Sequence, residues 1–328
     1  MTRLRTIRAA PEVWLARAAI WIVPRMSRRA LIRTARALGS LAYYVGRGRT
    51  RRIAEANLAI VFPERSPRER RRILKRSLQT FAQSMLEVFW LGRDAGKRLA
   101  SLVELDSSYD ALLRPGPAIC VTAHLGNWEA LGMALSLRTG EPLVSVAAAI
   151  KNRRVDELFV NLRRVTGQEI VPRKGAVRSL LRALRSGRKI ALVLDQNTKP
   201  VEGGIFVDFL GLPAPVSTAP ALLALRTGAP IYVGAAIPVE GGRYRATPVV
   251  HVPLETSGGT DEEVVRATTA RIAAELSALI RAYPEAWVWS YKRWKIRPPG
   301  ALEAAYPFYS RPLHETDLPR NRPLPEGL

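Results

Sequence analysis

The sequence predicts an α/β fold, with a largely parallel central sheet flanked by helices and an N-terminal helical portion in front of it. From Ala118 onward, short apolar runs typical of buried strands alternate with segments whose apolar residues recur at helical spacing. Before Ala118, helical patterns predominate. The chain has 328 residues, of which 47% are hydrophobic, so it can bury a sizeable core and a disordered chain is excluded.

The helices of the N-terminal part are placed by apolar periodicity and by a capping signal. Ser66 followed by Pro67 and Glu69 is a typical helix start, because serine caps the first turn and proline is tolerated there. We expect four helices in this part of the chain, at about 11–23, 27–46, 67–92 and 96–112.

The rest of the chain alternates between the two element types. Buried strands are predicted at about 118–123, 143–150, 190–194 and 231–237. Helices are predicted at about 129–137, 153–166, 176–185, 219–226 and 261–282. From Pro298 the chain is rich in proline. We therefore expect N-terminal helices over residues 1–50, an α/β domain over 51–300 and a proline-rich tail over 301–328.

The charge is strongly positive and unevenly distributed. The chain has 51 Lys and Arg against 28 Asp and Glu, and its first 100 residues hold 23 of the former and 6 of the latter. A basic half indicates a polyanionic partner, such as nucleic acid, an anionic lipid surface or an acidic carrier protein. No nucleic-acid-binding motif occurs, and the basic run from Arg68 to Arg76 is explained by a solvated helix face, so no nucleic acid is expected.

Apolar residues within this basic part favour a membrane surface. The segment Trp14–Val23 is apolar almost all round. Beyond it, apolar residues recur at helical spacing beside arginines: Leu31, Ala35, Leu38, Ala42 and Val45, with Arg29, Arg33 and Arg36. This pattern is typical of a helix in the interface of an anionic membrane, although a helix packed on its own domain fits equally well. A bilayer span needs about 20 successive apolar residues, so we expect interfacial binding and no span.

The strongest chemical signal is the segment His124–Glu129, which reads His-Leu-Gly-Asn-Trp-Glu and follows a predicted strand. In α/β sheets, sites commonly lie where a strand ends and a helix begins. Gly126 permits a turn and Asn127 can cap the next helix, so the Glu129 carboxylate could return to the imidazole. Such a pair would be a general base for a hydroxyl. A histidine with a purely structural role is the alternative, and it is the commoner explanation for such a pair alone.

Other chemistries find less support in the sequence. Cys120 lies four residues before His124, about 13 Å away along a strand, which is too far for a thiol–imidazole dyad. As the only cysteine, Cys120 also excludes an internal disulfide and a multi-cysteine zinc site. The three histidines are scattered, and no phosphate-binding loop or dinucleotide motif occurs. We therefore expect neither a metal nor a cofactor.

Five blocks occur in order over about residues 30–298. They are Asn57-Leu58 with Val61–Glu64; His124–Glu129; Lys151-Asn152 with Arg163, Arg164 and Gly167; Gly187 through Asp195 and Gln196; and Phe206–Ala214 with Thr227–Ala229 and Trp289–Pro298. The ordered set resembles the late acyltransferases of lipid A biosynthesis, the lauroyl- and myristoyltransferases within the lysophospholipid acyltransferase superfamily. This resemblance favours a catalytic His124 over a structural one.

The resemblance implies a reaction and a set of site residues. His124 would deprotonate an acceptor hydroxyl, with Glu129 orienting the imidazole, and the hydroxyl would attack an acyl thioester. Acyl carrier protein is the donor that the family implies, and acyl-CoA is the alternative. The acceptor would be a phosphorylated glycolipid at the cytoplasmic face of the cell inner membrane. The implied substrate-binding residues are Arg163, Arg164, Asp195, Gln196, Gly204, Phe206, Phe209 and Gly211.

Two positions depart from the family pattern and leave the acceptor open. Tyr291 stands where the family usually has a histidine, and Val216 stands where a threonine is often found. Another glycolipid or a lysophospholipid, acylated from acyl-CoA, is therefore an alternative acceptor. A non-catalytic basic protein that binds membranes is the alternative from a different functional class.

Overall fold

The computed structural model describes residues 2–46, 48–173, 175–256 and 259–319 of the chain. Its helices are α1 (Thr2–Ile22), α2 (Arg28–Val45), α3 (Arg49–Val61), α4 (Pro67–Trp90), α5 (Ala95–Leu102), α6 (Asp110–Leu113), α7 (Trp128–Thr139), α8 (Arg153–Arg164), α9 (Ala176–Arg185), α10 (Ala219–Thr227) and α11 (Asp261–Ala282). Its strands are β1 (Val103–Glu104), β2 (Ala118–Thr122), β3 (Val144–Ala147), β4 (Glu169–Pro172), β5 (Lys189–Val193), β6 (Gly204–Phe209), β7 (Leu212–Ser217), β8 (Ile231–Val233), β9 (Ala236–Pro238), β10 (Tyr244–Ala246), β11 (Val250–Val252), β12 (Ile296–Arg297) and β13 (Arg311–Pro312).

The predicted fold class is confirmed. The central sheet has six strands in the order β11-β8-β2-β5-β3-β4, and all neighbours are parallel except β11 and β8. Helices cover both faces, which is the usual arrangement of a parallel sheet because each strand then buries both of its sides. On β2, Ile119 and Val121 pack into one large apolar cluster while Cys120 packs against another on the opposite face.

The sheet opens at one edge, and this opening positions the functional site. β3 pairs with β5 only at Val144 and Ser145, opposite Ile190 and Ala191. Beyond Ser145, β3 remains paired with β4 and no longer with β5. The gap between β3 and β5 therefore begins near the carboxyl ends of the strands, where parallel sheets commonly place ligands.

The N-terminal helices pack tightly against one another and on the sheet domain. α2 crosses α4 at Gly39, where an added Cβ would lie 2.5 Å from the Cα atom of Gln79, so only glycine permits this approach. The capping box of Ser66 and Glu69 starts α4, as its sequence predicts. Among the described residues, the longest helices are too short or too polar to cross a membrane.

Several large apolar side chains of α1 and α2 remain exposed. They are Trp14, Leu15, Trp21 and Ile22 of α1, and Leu38, Leu41, Tyr44 and Val45 of α2. Scattered apolar residues are normal on a protein surface, whereas a concentration of large ones on consecutive helices is typical of an interaction site.

Two predicted elements differ from the structure, and one long helix was missed. The helix predicted over 96–112 ends at Leu102, because Val103 and Glu104 pair with β10 in a small sheet. The strand predicted over 231–237 is divided at Gly234 into β8 and β9, which belong to different sheets. Helix α3 was not predicted, although its buried residues recur at helical spacing: Ile53, Ala54, Asn57, Leu58 and Val61.

Candidate active site

His124 lies on a tight turn between β2 and α7. Gly126 has φ 62° in this turn, and an added Cβ there would lie 1.9 Å from the carbonyl oxygen of Ala236, so the position requires glycine. The side chain of Asn127 caps α7 by accepting a hydrogen bond from the backbone N–H of Ala130 at 2.8 Å. The turn and the cap therefore form as the sequence predicts.

Asp195, and not Glu129, is the hydrogen-bond partner of His124. Nδ1 of His124 lies 2.8 Å from Oδ1 of Asp195, and the indole N–H of Trp287 donates to Oδ2 of the same carboxylate at 2.7 Å. Asp195 follows β5, and His124 follows β2, its parallel neighbour in the sheet. The carboxyl ends of parallel neighbours meet at one edge of a sheet, which brings these two side chains together.

The protonation states follow from this geometry. Burial raises the pKa of Asp195, but the charge and hydrogen bond of His124 and the bond from Trp287 outweigh it, so the pKa is lowered. An ionised carboxylate only accepts hydrogen bonds, so Nδ1 of His124 carries the hydrogen and Nε2 is left as an acceptor. Burial lowers the pKa of His124, but the charge and hydrogen bond of Asp195 and the charge of Glu129 outweigh burial, and the pKa is raised.

Glu129 forms a salt bridge with Arg163 instead of a hydrogen bond with His124. The Nε–H of Arg163 donates to Oε2 of Glu129 at 2.8 Å, and Nη2 donates to Oε1 at 2.6 Å. The expected contact between Glu129 and the imidazole is therefore wrong, because the first turn of α7 directs the carboxylate towards α8. Arg163 was expected to bind substrate, and two of its five N–H groups are used by Glu129.

A cavity of about 1140 Å³ opens beside His124, at the gap between β3 and β5. Trp128, Glu129 and Arg163 also line its wall near His124. Its inner part is lined by buried apolar side chains: Tyr109, Leu112, Leu131, Leu135 and Leu143. A cavity of this size and lining suits a long apolar ligand.

Cys120 also lines the inner part of this cavity, on the same face of β2 as Thr122. Burial raises the pKa of Cys120 to about 12, so its thiol stays protonated and is a poor nucleophile.

The other predicted site residues are dispersed. Gln196 is exposed and lines the cavity, and Arg164 is exposed on α8. Asp195 was expected to bind substrate, but it is 3% exposed, and both its carboxylate oxygens are used by protein groups. The remaining four lie in the β6–β7 hairpin or at its turn, and none of them lines the cavity: Gly204, Phe206, Phe209 and Gly211.

The segment after β5 is held by C-terminal residues that sequence reasoning did not assign to the site. The Tyr291 hydroxyl accepts from the backbone N–H of Asn197 at 3.0 Å, and Arg293 donates to Oδ1 of Asn197 at 2.7 Å. Arg293 is fully buried, and this burial lowers its pKa to about 10. Tyr291 and Arg293 belong to the last of the five sequence blocks, so this block was the sequence signal that could have identified them. Trp287 lies two residues before the Trp289–Pro298 part of that block.

Two polar residues of α4 hold the turn that carries His124. Oγ of Ser84 donates to the carbonyl oxygen of Gly126 at 2.8 Å, and Nδ2 of Asn127 donates to Oε2 of Glu87 at 2.5 Å. Glu87 is fully buried and forms an ion pair with Arg28 of α2. The edge of the sheet that carries His124 and the N-terminal helices are therefore joined by polar contacts as well as by packing.

A histidine held by a buried carboxylate, at the opening of an apolar cavity in an α/β fold, defines a site that can take a proton from the hydroxyl of a lipid-like substrate. A sequence model of the family described as bacterial lipid A biosynthesis acyltransferase matches residues 2–296. The chain therefore belongs to this family, as the resemblance predicts, and it is an acyltransferase.

Individual relatives act on different lipids by name. The chain is 29% identical over 230 residues to the phosphatidylinositol mannoside acyltransferase of Mycolicibacterium smegmatis, covering 68% of this chain and 72% of the relative. It is 25% identical over 294 residues to the lipid A biosynthesis lauroyltransferase of Escherichia coli, covering 88% and 92%. Among solved structures, the 1-acyl-sn-glycerophosphate acyltransferase PlsC of Thermotoga maritima matches with a TM-score of 0.34 and 16% identity, over 74% of this chain and 97% of that one.

The contribution of the Glu129–Arg163 salt bridge to the free energy of unfolding can be tested. Arg163→Ala should lower the free energy of unfolding by about 1–3 kcal/mol, because it leaves a mostly buried carboxylate without its partner. Arg164→Ala is the matched control, since Arg164 is exposed on the same helix, and it should change stability by less than about 0.5 kcal/mol. Urea denaturation of the two variants measures both values, and equal stability of the two would contradict the structural role of the pair.

Proposed function

We propose that this protein transfers a fatty acyl chain from an acyl thioester to a hydroxyl of a phosphorylated glycolipid, with His124 as the general base. The observation that carries the proposal is the His124–Asp195 pair at the opening of the large apolar cavity. Membership of the acyltransferase family supports the reaction class.

In the proposed reaction, the acceptor hydroxyl oxygen attacks the thioester carbonyl carbon while its proton passes to Nε2 of His124. Asp195 holds the imidazole in the required tautomer and stabilises the imidazolium that forms. The tetrahedral intermediate collapses, the C–S bond breaks, and the imidazolium returns the proton to the leaving thiolate. The products are an ester and a free thiol, without a covalent enzyme intermediate.

Glu129 and Arg163 would act as a unit on the cavity wall beside the base. The bidentate salt bridge fixes the guanidinium plane while leaving three of its N–H groups for other partners. Those groups would donate to an anionic oxygen, either of a phosphate on the acceptor or of the tetrahedral intermediate. Glu129 is thus a positioning residue for Arg163 in this proposal.

The donor proposed is acyl carrier protein, with its acyl chain in the apolar part of the cavity. Carrier proteins are acidic, and arginines are exposed around α9 near the cavity: Arg173, Arg178, Arg182 and Arg185. A basic surface of this kind speeds the encounter with an acidic partner. Acyl-CoA is anionic too, so kinetics with both donors at matched chain length must separate them, and a strong preference for acyl-CoA would overturn this choice.

The proposed acceptor lies in a membrane that the protein binds from the cytoplasmic side. The exposed apolar residues of α1 and α2, with the arginines of the same helices, suit an anionic interface. The relatives named above include enzymes for lipid A and for phosphatidylinositol mannoside, both of which are glycolipids. The decisive assay therefore offers labelled acyl donor to a lipid A precursor, a mannosylated phosphatidylinositol and a lysophospholipid. Transfer to the lysophospholipid alone would overturn the glycolipid assignment.

The role of His124 can be tested with two variants. His124→Ala should lower kcat/KM by about 10²–10⁴-fold, the usual contribution of a general base. Asp195→Asn should also lower kcat/KM substantially, because it removes the charge that stabilises the imidazolium. Since the two residues act as one unit, the variant with both substitutions should be little less active than the less active single variant. Circular dichroism checks that the fold survives. Full activity of His124→Ala would contradict this mechanism and favour a non-catalytic role for the site.

The pH dependence of kcat/KM tests the same pair independently. His124 must be neutral to act as a base, and its pKa is raised, so activity should rise with pH through a midpoint above the ordinary value of about 6.5. Asp195→Asn removes the main cause of this increase, so the midpoint of its residual activity should move to lower pH. An unchanged midpoint would show that His124 is not the titrating group.

The position of the donor chain can be tested at Cys120. Cys120→Phe adds bulk to the inner part of the cavity and should shift the preferred acyl chain to a shorter length. Cys120→Ser is the matched control, since it keeps the size of the side chain and no chemical role is assigned to the thiol. A competition assay with carrier proteins loaded with different chain lengths measures the shift. Equal preferences in both variants would place the donor chain elsewhere.

A further inference from the structure

A second cavity, of about 380 Å³, lies between α2 and α4 and is hereafter the α2–α4 groove. Its lining is almost entirely apolar: Leu38, Gly39 and Ala42 of α2; Leu74, Leu78, Phe81, Ala82, Met85, Leu86 and Phe89 of α4; and Val288 and Trp289. Of its two serines, Ser77 already donates a hydrogen bond to the carbonyl oxygen of Trp287. The groove thus suits a ligand without hydrogen-bonding groups.

Two aromatic rings connect one side of the groove to His124. Phe81 lines the groove and stacks on Trp128, with ring centroids 6.3 Å apart. Trp128 lines the large cavity and contacts the His124 ring edge-on at 4.8 Å. The groove is therefore linked to His124 through one stacked pair of aromatic rings, and a chain that displaced this pair would lead from the groove towards His124.

The surroundings of the groove fit a lipid with an anionic headgroup. Leu38, Leu41 and Val45 are exposed along one side of α2, at the spacing of successive helical turns. Basic side chains are exposed on the same two helices: Arg29, Arg33 and Arg36 of α2, and Arg71, Arg72 and Arg76 of α4. Hydrocarbon fits the apolar lining, and phosphate groups fit the arginines. The apolar lining together with the exposed arginines favours a membrane lipid, which offers hydrocarbon and phosphate in one molecule, over a protein partner.

We propose that the α2–α4 groove holds a hydrocarbon chain of the lipid acceptor while its hydroxyl reaches His124 past Phe81 and Trp128. The acyl chain of the donor then occupies the larger cavity, so that the two substrates approach the base from separate apolar sites. This inference rests on the proposed function and makes it more specific, because the acceptor must bring a hydrocarbon chain of its own into the protein.

The test fills the groove and compares two acceptors. Ala82→Trp places an indole in the groove, and Ala42→Trp does so from α2, where the exposed position protects folding. Ala37→Trp is the matched control, because Ala37 is exposed on α2 outside the groove. The acceptors are a lipid A precursor and its fully deacylated form, which keeps the sugars, their hydroxyls and the phosphates but has no hydrocarbon chain.

We expect the groove-filling variants to raise the KM for the intact precursor by at least about tenfold, since excluding two methylene groups changes affinity by about that factor. The KM for the deacylated acceptor and the KM for the donor should change by less than about twofold. Ala37→Trp should change none of these KM values. An equal loss with both acceptors, a loss in the donor KM, or no loss would each overturn the proposal.

A binding measurement keeps this inference separate from the proposed activity. The inactive His124→Ala variant is irradiated with a lipid A precursor that carries a diazirine at the end of one acyl chain. Labelling of α4 between Leu78 and Phe89, prevented by Ala82→Trp, supports the groove even if no transfer is found and the proposed reaction fails. Labelling elsewhere overturns the inference even if transfer is active. If Ala82→Trp weakens binding to vesicles but does not reduce labelling, the groove binds bulk membrane lipid and not the acceptor, and the proposal is wrong.

Discussion

The hydrogen bond between His124 and Asp195 joins the ends of two neighbouring strands, and the arrangement of the site depends on it. The two residues are 71 positions apart, and the parallel pairing of β2 with β5 brings them together. A buried carboxylate is stable only when other groups compensate its charge. Here His124 and Trp287 do so, one on each oxygen. The same contact therefore stabilises the fold at this edge and fixes which nitrogen of the imidazole is free.

Polar contacts from distant parts of the chain hold both ends of this bond. Ser84 and Glu87 of α4 fix the turn after β2, while Tyr291 and Arg293 fix the segment after β5 through Asn197. Ser84 and Glu87 are fully buried, and a buried polar group left unpaired costs about 1–3 kcal/mol, so the arrangement that pairs them is favoured over its alternatives. Glu87 also pairs with Arg28 at the start of α2. The helix proposed to meet the membrane is thus in polar contact, through Glu87, with the turn that carries His124.

Local sequence signals were enough to predict the turn that carries His124, but they did not predict its long-range contacts. A strand end, a glycine and a capping asparagine are neighbours in the chain, so the position of His124 could be predicted from a short segment. Its carboxylate partner could not, because strand order decides whether Asp195 or the nearby Glu129 reaches the imidazole. The predicted helix over 96–112 failed for a related reason, since pairing of Val103 with β10 overrides the local helical pattern.

The two carboxylates near His124 have different partners, and this difference matters for a histidine that is proposed to act as a base. Asp195 is hydrogen-bonded to the imidazole, so its charge stabilises the imidazolium as the proton arrives. Glu129 is compensated by Arg163, which reduces its effect on the same ring. If both carboxylates bonded to His124 without Arg163, their summed charge would raise its pKa further and favour the protonated form. Arg163 therefore contributes to the proposed base indirectly, by leaving Asp195 as the main charge that His124 senses.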